Sequence, residues 1–433
     1  MNVEAGFYGA GILVLLLLLR VPVALALIAV SFGGIAWLIG LTPALGILSN
    51  TPYSFVASWT MSAVPMFLLM GFVAFHAGLT GGLFDAAKAV LRKLPGALAI
   101  SSIFACSGFA AVCGSSLATA AAMGRIAIPE MVRAGYNPGF AAGSIAAGGT
   151  IGALIPPSIL MIIYGVFAET SITQVFLGGI GIGILTALSY TIVVLVIAWA
   201  RPDIVPRKPL EDSSLTAREA LGRIWPVMLL IVLVFGGMFS GFFTATEAGA
   251  VGAAGSLACA ALVRRLNWAV LKQALLETLM TSASLFIIGI GAAMFTRFLG
   301  ITGLSSFISG YVNDAGLSYF QLMLIVVLIY ILLGMVMEPF GALLITLPVL
   351  IPIFNAQGIS LVWFGVVVVK LLEIGMITPP VGLNVFVIRN VAAKYATVVQ
   401  IFGGVIPFLL ADIVVVALVV AFPALVMILP SLL

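Results

Sequence analysis

Long apolar stretches separated by short polar breaks run through the chain from end to end. Ten of them have the length and composition of membrane spans: 5–19, 22–40, 62–78, 138–168, 175–200, 224–240, 246–264, 274–299, 361–390 and 401–430. Two more apolar segments, 95–128 and 318–353, carry turn-forming residues in the middle and are expected to be re-entrant hairpins that return to the side they left. Segment 42–60 is apolar but holds two prolines and the polar patch Ser49-Asn50-Thr51, so it is expected to lie along the interface and not cross. Residues 1–20 read as a first span, because Arg20 follows the apolar run where a signal peptide would carry its charge in front.

The second half repeats the first. Shifting the chain by 223 residues places Ile128-Pro129 on Ile351-Pro352, Gly135 on Gly358, Ile151-Gly152 on Ile374-Gly375 and Pro156-Pro157 on Pro379-Pro380. At a shift of 222, Gly78, Thr80 and Gly81 meet Gly300, Thr302 and Gly303. The shift divides the ten spans into five and five, and an odd number per half inverts the second half in the membrane. The expected fold is therefore an all-α polytopic membrane protein of two inverted repeats, each with one re-entrant hairpin and one broken helix. Residues 1–200 form the first repeat, with scaffold spans 5–40, hairpin 95–128 and broken span 138–168. The polar stretch 201–223 joins it to the second repeat, 224–433, with scaffold spans 224–264, hairpin 318–353 and broken span 361–390.

Charge fixes the orientation. With the N-terminus outside and each hairpin returning to its own side, 16 of the 18 Lys and Arg residues fall inside. They are Arg20, Lys88, Arg92, Lys93, Arg125, Arg133, Arg201, Arg207, Lys208, Arg218, Arg223, Arg264, Arg265, Lys272, Arg389 and Lys394. The outer loops at 41–61, 169–174, 241–245 and 354–360 hold none. Both termini are then expected outside. Composition agrees with a membrane protein: 63% of the 433 residues are hydrophobic and 7% charged, against about 25% charged in a soluble domain. That excludes a cytosolic enzyme or nucleic-acid binder and makes the lipid bilayer the solvent.

Four interruptions carry the candidate chemistry. The first hairpin turns near Cys113-Gly114-Ser115-Ser116, and the span after it breaks between Gly148 and Ser158. The second hairpin turns at Met337-Glu338-Pro339-Phe340-Gly341, and its following span breaks at Thr378-Pro379-Pro380-Val381-Gly382. Paired prolines remove two backbone donors and clash with the preceding turn. The carbonyls freed at such breaks suit a small hard cation, and helix N-termini at the same places suit a carboxylate. Side-chain oxygens of Ser115, Ser116, Thr150, Ser158, Thr378 and Asn384 lie near the breaks, and Glu338 is an ionisable group at a hairpin tip. Glu373 and Lys370, three apart on one helix, are expected to neutralise each other; Asp412 has either Arg389 or a cavity as its setting. His76 is expected to pack near a span end, Cys106, Cys113 and Cys259 to be small buried residues, and Thr244 with Glu247 to form a capping box.

These stretches resemble the large membrane subunit of tripartite ATP-independent periplasmic (TRAP) transporters over nearly the whole chain. The most telling are GSSLATAAAMGRIAIPEMVRAGYNP at 114–138, GGTIGALIPPS at 148–158, FTATEAGAVGA at 243–253, MEP at 337–339 and EIGMITPPVGLNVFVI at 373–388. The resemblance implies a multi-pass importer of organic acids in the bacterial inner membrane, driven by Na⁺ and moving as an elevator. It also implies a soluble periplasmic binding protein that delivers substrate, and a separate small membrane subunit of four helices. Carried onto this chain, Na⁺ would lie at Gly114, Ser115 and Pro156 in one half and at Glu338, Pro339, Thr378 and Pro379 in the other. Substrate would meet Ser116, Thr150, Pro157, Ser158, Pro380 and Asn384. Ala245 stands where the family usually has a second proline, in a stretch that reads as a helix cap. A stand-alone Na⁺-coupled symporter for dicarboxylates or other anions would share the repeats and hairpins, and a passive channel would leave the inverted breaks without a purpose. An intramembrane hydrolase lacks its pair of catalytic groups.

Overall fold

A computed structural model describes residues 2–207, 219 and 222–432. Lys208, Arg218 and most of the joint at 201–223 lie outside the described residues. Every regular element among the described residues is helical. In the first half these are α1 (Val3–Leu18), α2 (Val23–Ile39), α3 (Leu41–Val56), α4 (Ala63–His76), α5 (Gly82–Leu91), α6 (Ala97–Cys113), α7 (Ser116–Arg133), α8 (Pro138–Thr150), α9 (Ile159–Phe167) and α10 (Ile172–Ala200). The second half contributes α11 (Trp225–Phe239), α12 (Ala245–Leu262), α13 (Trp268–Thr302), α14 (Leu304–Asp314), α15 (Tyr319–Val336), α16 (Pro339–Ala356), α17 (Leu361–Gly375), α18 (Leu383–Ala392), α19 (Val398–Ala421) and the short α20 (Ala424–Met427).

The starts of these helices are written locally. Asn137, Ser171, Asn267 and Ser360 each cap a helix by accepting a backbone N–H from three residues on. Ser318 and Thr397 open α15 and α19 with full capping boxes, as Thr244 and Glu247 do for α12. Among the described residues, seven helical segments are long and apolar enough to cross a membrane. Leu18, Trp37, Ile192, Leu332 and Val399 are exposed on the outside of the bundle, as lipid-facing side chains are. Between helices the contacts use small residues. A Cβ at Gly404 of α19 would sit 2.0 Å from the Gly139 carbonyl oxygen of α8, and one at Gly143 would sit 2.4 Å from the Gly404 carbonyl carbon. The two backbones touch, which is how membrane helices gain packing when lipid is as apolar as leucine.

The two halves repeat element by element. Helices beginning at Ala97, Ser116 and Pro138 recur as helices beginning at Tyr319, Pro339 and Leu361, at separations of 222 or 223 residues. Both hairpins turn back within the bundle, at Gly114-Ser115 and Met337-Glu338. Contacts locate the two faces. Arg265 donates to the Gly78 carbonyl, Lys88 pairs with Glu130, and Asn137 N–H donates to the Ile204 carbonyl on one face, here termed the basic face. On the opposite face Tyr164 donates to the Leu361 carbonyl, Tyr319 to the Val420 carbonyl and Gln357 to Asn313. The first hairpin hangs from the basic face and the second from the opposite one. Segment 42–60 lies between the ends of α2 and α4 on that opposite face, and most of it is α3.

Three spans differ from the sequence expectation. The segment 224–240 is not an uninterrupted helix: residues Val232–Gly236 widen into a π turn. The Gly236-Gly237 pair permits it, and the Phe243 ring lies where a Cβ on Gly237 would be, 2.1 Å from its Cδ2. The segment 274–299 belongs to a longer helix of 35 residues, α13, extended by the Asn267 cap. The segment 401–430 stops at Ala421, and Pro423 turns the chain into α20, whose Val426 packs on Gly178 of α10.

Candidate functional site

Each hairpin tip is built by a residue whose backbone a helix cannot use. Gly114 has φ +62°, and a Cβ there would collide with the Pro157 carbonyl oxygen at 2.0 Å, so the position needs glycine for both dihedral and space. Ser115 follows in extended conformation, and its Oγ accepts the Ala118 N–H at 3.4 Å to start α7. At the second tip Glu338 is the N-cap residue of α16 and Pro339 occupies its first turn, where a missing N–H costs nothing.

Behind each tip lies a broken helix. After Thr150 the chain makes a 3₁₀ turn through Ile151–Ala153, passes a cis Pro156-Pro157 bond and restarts at Ile159, with Ser158 Oγ accepting the Met161 N–H at 3.4 Å. After Gly375 it passes a cis Pro379-Pro380 bond and Gly382 at φ +60° before α18. Thr378 Oγ1 donates to the Ile374 carbonyl at 2.7 Å, and Asn384 N–H reaches back over the gap to the Met376 carbonyl at 3.0 Å.

A cavity of about 300 Å³ lies between the two tips. Gly114, Ser115 and Ser116 form one wall and Glu338 with Pro339 another. Ala153 and Met376 come from the two breaks. Leu68 and Phe72 of α4 and Thr281 and Ser284 of α13 complete it. Five of the residues singled out from sequence thus meet around one space. The others are placed elsewhere. Pro156, Pro157 and Ser158 are buried behind the first tip, Thr150 and Asn384 are buried within the helix bundle, and Pro379 and Pro380 are exposed. Thr378, partly buried, does not line the cavity. Thr281 and Ser284 went unread. Their signal is a polar stripe on one face of an apolar helix, at Glu277, Thr281 and Ser284.

The charged residues at depth are paired differently from the local expectation. Lys370 does not neutralise Glu373: its Nζ donates to Asp412 Oδ1 at 2.5 Å, from α17 to α19. The other Asp412 oxygen accepts the Tyr190 hydroxyl at 2.8 Å, and that hydroxyl lies 3.3 Å from Thr150 Oγ1. Tyr190 and Asp412 stand on α10 and α19, the last long helix of each half. Arg389 takes no part. Glu373 instead faces the first hairpin, where Ser116 Oγ donates to its Oε1 at 3.0 Å. Its Oε2 and the Oδ1 of Asn384 are buried without a hydrogen-bond partner among the described residues; the Asn384 amide nitrogen donates to the Ala146 carbonyl at 3.4 Å. His76 Nε2 lies 3.0 Å from Glu277 Oε2, off the line of a hydrogen bond, so α4 and α13 meet through a charge-capable pair as well as through packing. Cys106, Cys113 and Cys259 are free and buried.

Comparison with known proteins follows the same lines. The family model of the tripartite ATP-independent periplasmic transporter, DctM component, matches residues 10–425. The chain is 38% identical over 361 residues to the C4-dicarboxylate TRAP transporter large permease protein DctM of Pseudomonas aeruginosa, covering 81% of this chain and 84% of that one. It is 32% identical over 422 residues to the sialic acid TRAP transporter large permease protein SiaM of Vibrio cholerae, covering 96% of each. An ectoine/5-hydroxyectoine TRAP transporter large permease, UehC of Ruegeria pomeroyi, is 32% identical over 401 residues, 92% of each chain. The solved structure of the YdaH transporter of Alcanivorax borkumensis shares the fold, with a TM-score of 0.63 over 88% of this chain and 89% of that one at 16% identity. The chain belongs to the DctM-component family of tripartite ATP-independent periplasmic transporters, as a membrane permease subunit and not an enzyme.

Proposed function

We propose that this chain is the permease of a Na⁺-coupled importer that accepts a small organic acid from a periplasmic binding protein and carries it inward by an elevator movement. The observation that carries the reading is the cavity where both hairpin tips meet α4 and α13. The N-termini of α7 and α16, each the start of an 18-residue helix, open on it and favour a negative ligand group. C4-dicarboxylates, sialic acid and ectoine, for which relatives are named, all carry a carboxylate. Glu338 in the same wall would repel that carboxylate unless a cation stood between them. The donors fit a small hard cation: hydroxyls at Ser115 and Ser116 and the Glu338 carboxylate line the cavity, and Glu373, which accepts from Ser116, keeps its second oxygen unpartnered among the described residues. Bound Na⁺ would supply the positive charge that lets Glu338 and the substrate share one space.

The basic face is assigned to the cytoplasm on the charge bias, which places both termini in the periplasm of an inner-membrane protein. The hairpins and broken helices hold the polar groups and form the moving body. A separate small membrane subunit would dock on the fixed scaffold. The test is uptake into proteoliposomes holding both membrane subunits, with the cognate binding protein outside and a panel of organic acids. Uptake should require an inward Na⁺ gradient, and Ser115→Ala should raise the Na⁺ concentration for half-maximal uptake roughly fivefold, the effect of losing about 1 kcal/mol of one oxygen contact. Uptake indifferent to Na⁺ would reject the coupling.

A further inference from the structure

On the basic face, away from the transport cavity, a polar cavity of about 590 Å³ opens where α4 turns into α5. Its wall includes Gly78 and Gly82 of that turn, Asp85 in the first turn of α5, Arg223 and Trp225 at the start of α11, and Arg265 just past α12. Arg265 is fixed in place, because Nη1 donates to the Gly78 carbonyl at 3.0 Å. The rest of its guanidinium fork is left for a ligand. Arg223 is exposed and has no ion pair among the described residues; its Cβ seats 3.2 Å from where a Cβ on Gly82 would be. Asp85, the acid in the wall, shares Lys88 at 3.2 Å with Glu130 at 2.8 Å, and the two arginines of the wall outnumber its one carboxylate, which leaves the cavity positive.

Three exposed tryptophans set the depth. Trp225 is 42% exposed at the start of α11, Trp268 73% at the start of α13 and Trp199 77% at the end of α10. All three lie at the basic-face ends of their helices, and tryptophans in such rings sit at headgroup level. The cavity is therefore at the depth of lipid phosphates and not in bulk water.

We propose that this cavity binds the phosphate of an anionic phospholipid headgroup between Arg223 and Arg265. Guanidinium forks match phosphate oxygens two by two, and basic pockets between helices at this level take anionic headgroups. A zwitterionic lipid would bring its own cation against the arginines and bind less well. The occupied cavity ties α11 and α12 to the glycine turn that leads into α5 and on to the first hairpin.

The experiment needs no transport, so it stands apart from the proposed function. The full chain in detergent is titrated, with native mass spectrometry as readout, against phosphatidylglycerol, phosphatidylcholine and inorganic phosphate. Phosphatidylglycerol should bind more tightly than phosphatidylcholine, and the R223Q/R265Q variant should lose roughly thirtyfold in affinity for it, the effect expected of two interfacial arginines. Its binding should weaken as salt rises. Equal affinity for both lipids, or unchanged phosphatidylglycerol binding in the double variant, overturns the proposal. Displacement of phosphatidylglycerol by inorganic phosphate at millimolar concentration overturns the lipid source and leaves a soluble anion. Should the variant fail to fold, the lipid preference and salt dependence of the unaltered chain still decide.

Discussion

At the residue scale the fate of Lys370 shows what local spacing hides. Glu373 stands three residues away, close enough for an ion pair on one helix, yet Lys370 reaches Asp412 on α19. The choice is made by how α17 and α19 are rotated against each other, and that is a property of packing between helices distant in sequence. Glu373 is thereby released to accept from Ser116 and tie the first hairpin tip to the second repeat. Removing one partner of a buried ion pair strands the other charge, at a cost of about 3–5 kcal/mol, whereas replacing both by apolar residues is often nearly neutral. Asp412→Ala should therefore lower the melting temperature in detergent sharply, and a Lys370→Met/Asp412→Leu double variant should recover most of the loss. A double variant no more stable than the single one would mean that the pair does not act as a unit. The cavity hydroxyls of Thr281 and Ser284 were missed for a related reason: which face of a span looks inward is settled by its neighbours.

Hairpins, breaks and repeat are legible at the scale of elements because glycine and proline act on the backbone where they stand. Gly114 at φ +62° and the paired prolines mark the turns whatever packs around them. Capping residues likewise announce helix starts, as Thr244 and Glu247 did. Helix crossings depend on glycine in another way, and the two neighbours Gly403 and Gly404 separate the effects. Nothing lies within 4 Å of a Cβ at Gly403, while one at Gly404 would strike the Gly139 carbonyl oxygen of α8 at 2.0 Å. Backbone cannot swing aside as a side chain can. Gly404→Ala should destabilise by about 3 kcal/mol, the upper end of overpacking. Gly403→Ala should be neutral or stabilising by up to ~1 kcal/mol through helix propensity. Thermal unfolding of the two variants side by side checks this; equal melting temperatures would remove the close α8–α19 crossing.

For the whole molecule the question is which parts move. The second hairpin touches the scaffold at one place suited to a lock: a Cβ at Gly341 of α16 would lie 3.6 Å from Val23 Cβ of α2, a separation a disulfide can bridge. In a background freed of its three native cysteines, V23C/G341C should block uptake when oxidised and regain it on reduction. A control pair outside both hairpins and both broken helices, M66C/G249C, joins α4 to the scaffold helix α12, where the Cβ atoms would be 3.2 Å apart, and should transport in either state. Full uptake with the first bond completely formed would refute the elevator assignment. The division into moving and fixed bodies was read from where the interruptions fall; the walls supplied by α4 and α13 came only with the fold.

The hydrogen bond from Tyr190 to Asp412 has a consequence for how such a chain is inherited. The last long helices of the two repeats, α10 and α19, meet at this bond, and the residues they bring to it are unlike. Two aspartates facing each other would repel, and two tyrosines would leave Lys370 without a counter-charge. Neither half can therefore stand in for the other, and two copies of one half would not rebuild this centre. Once that difference was in place the two halves became complementary parts, and a single chain keeps them in fixed ratio through every round of synthesis.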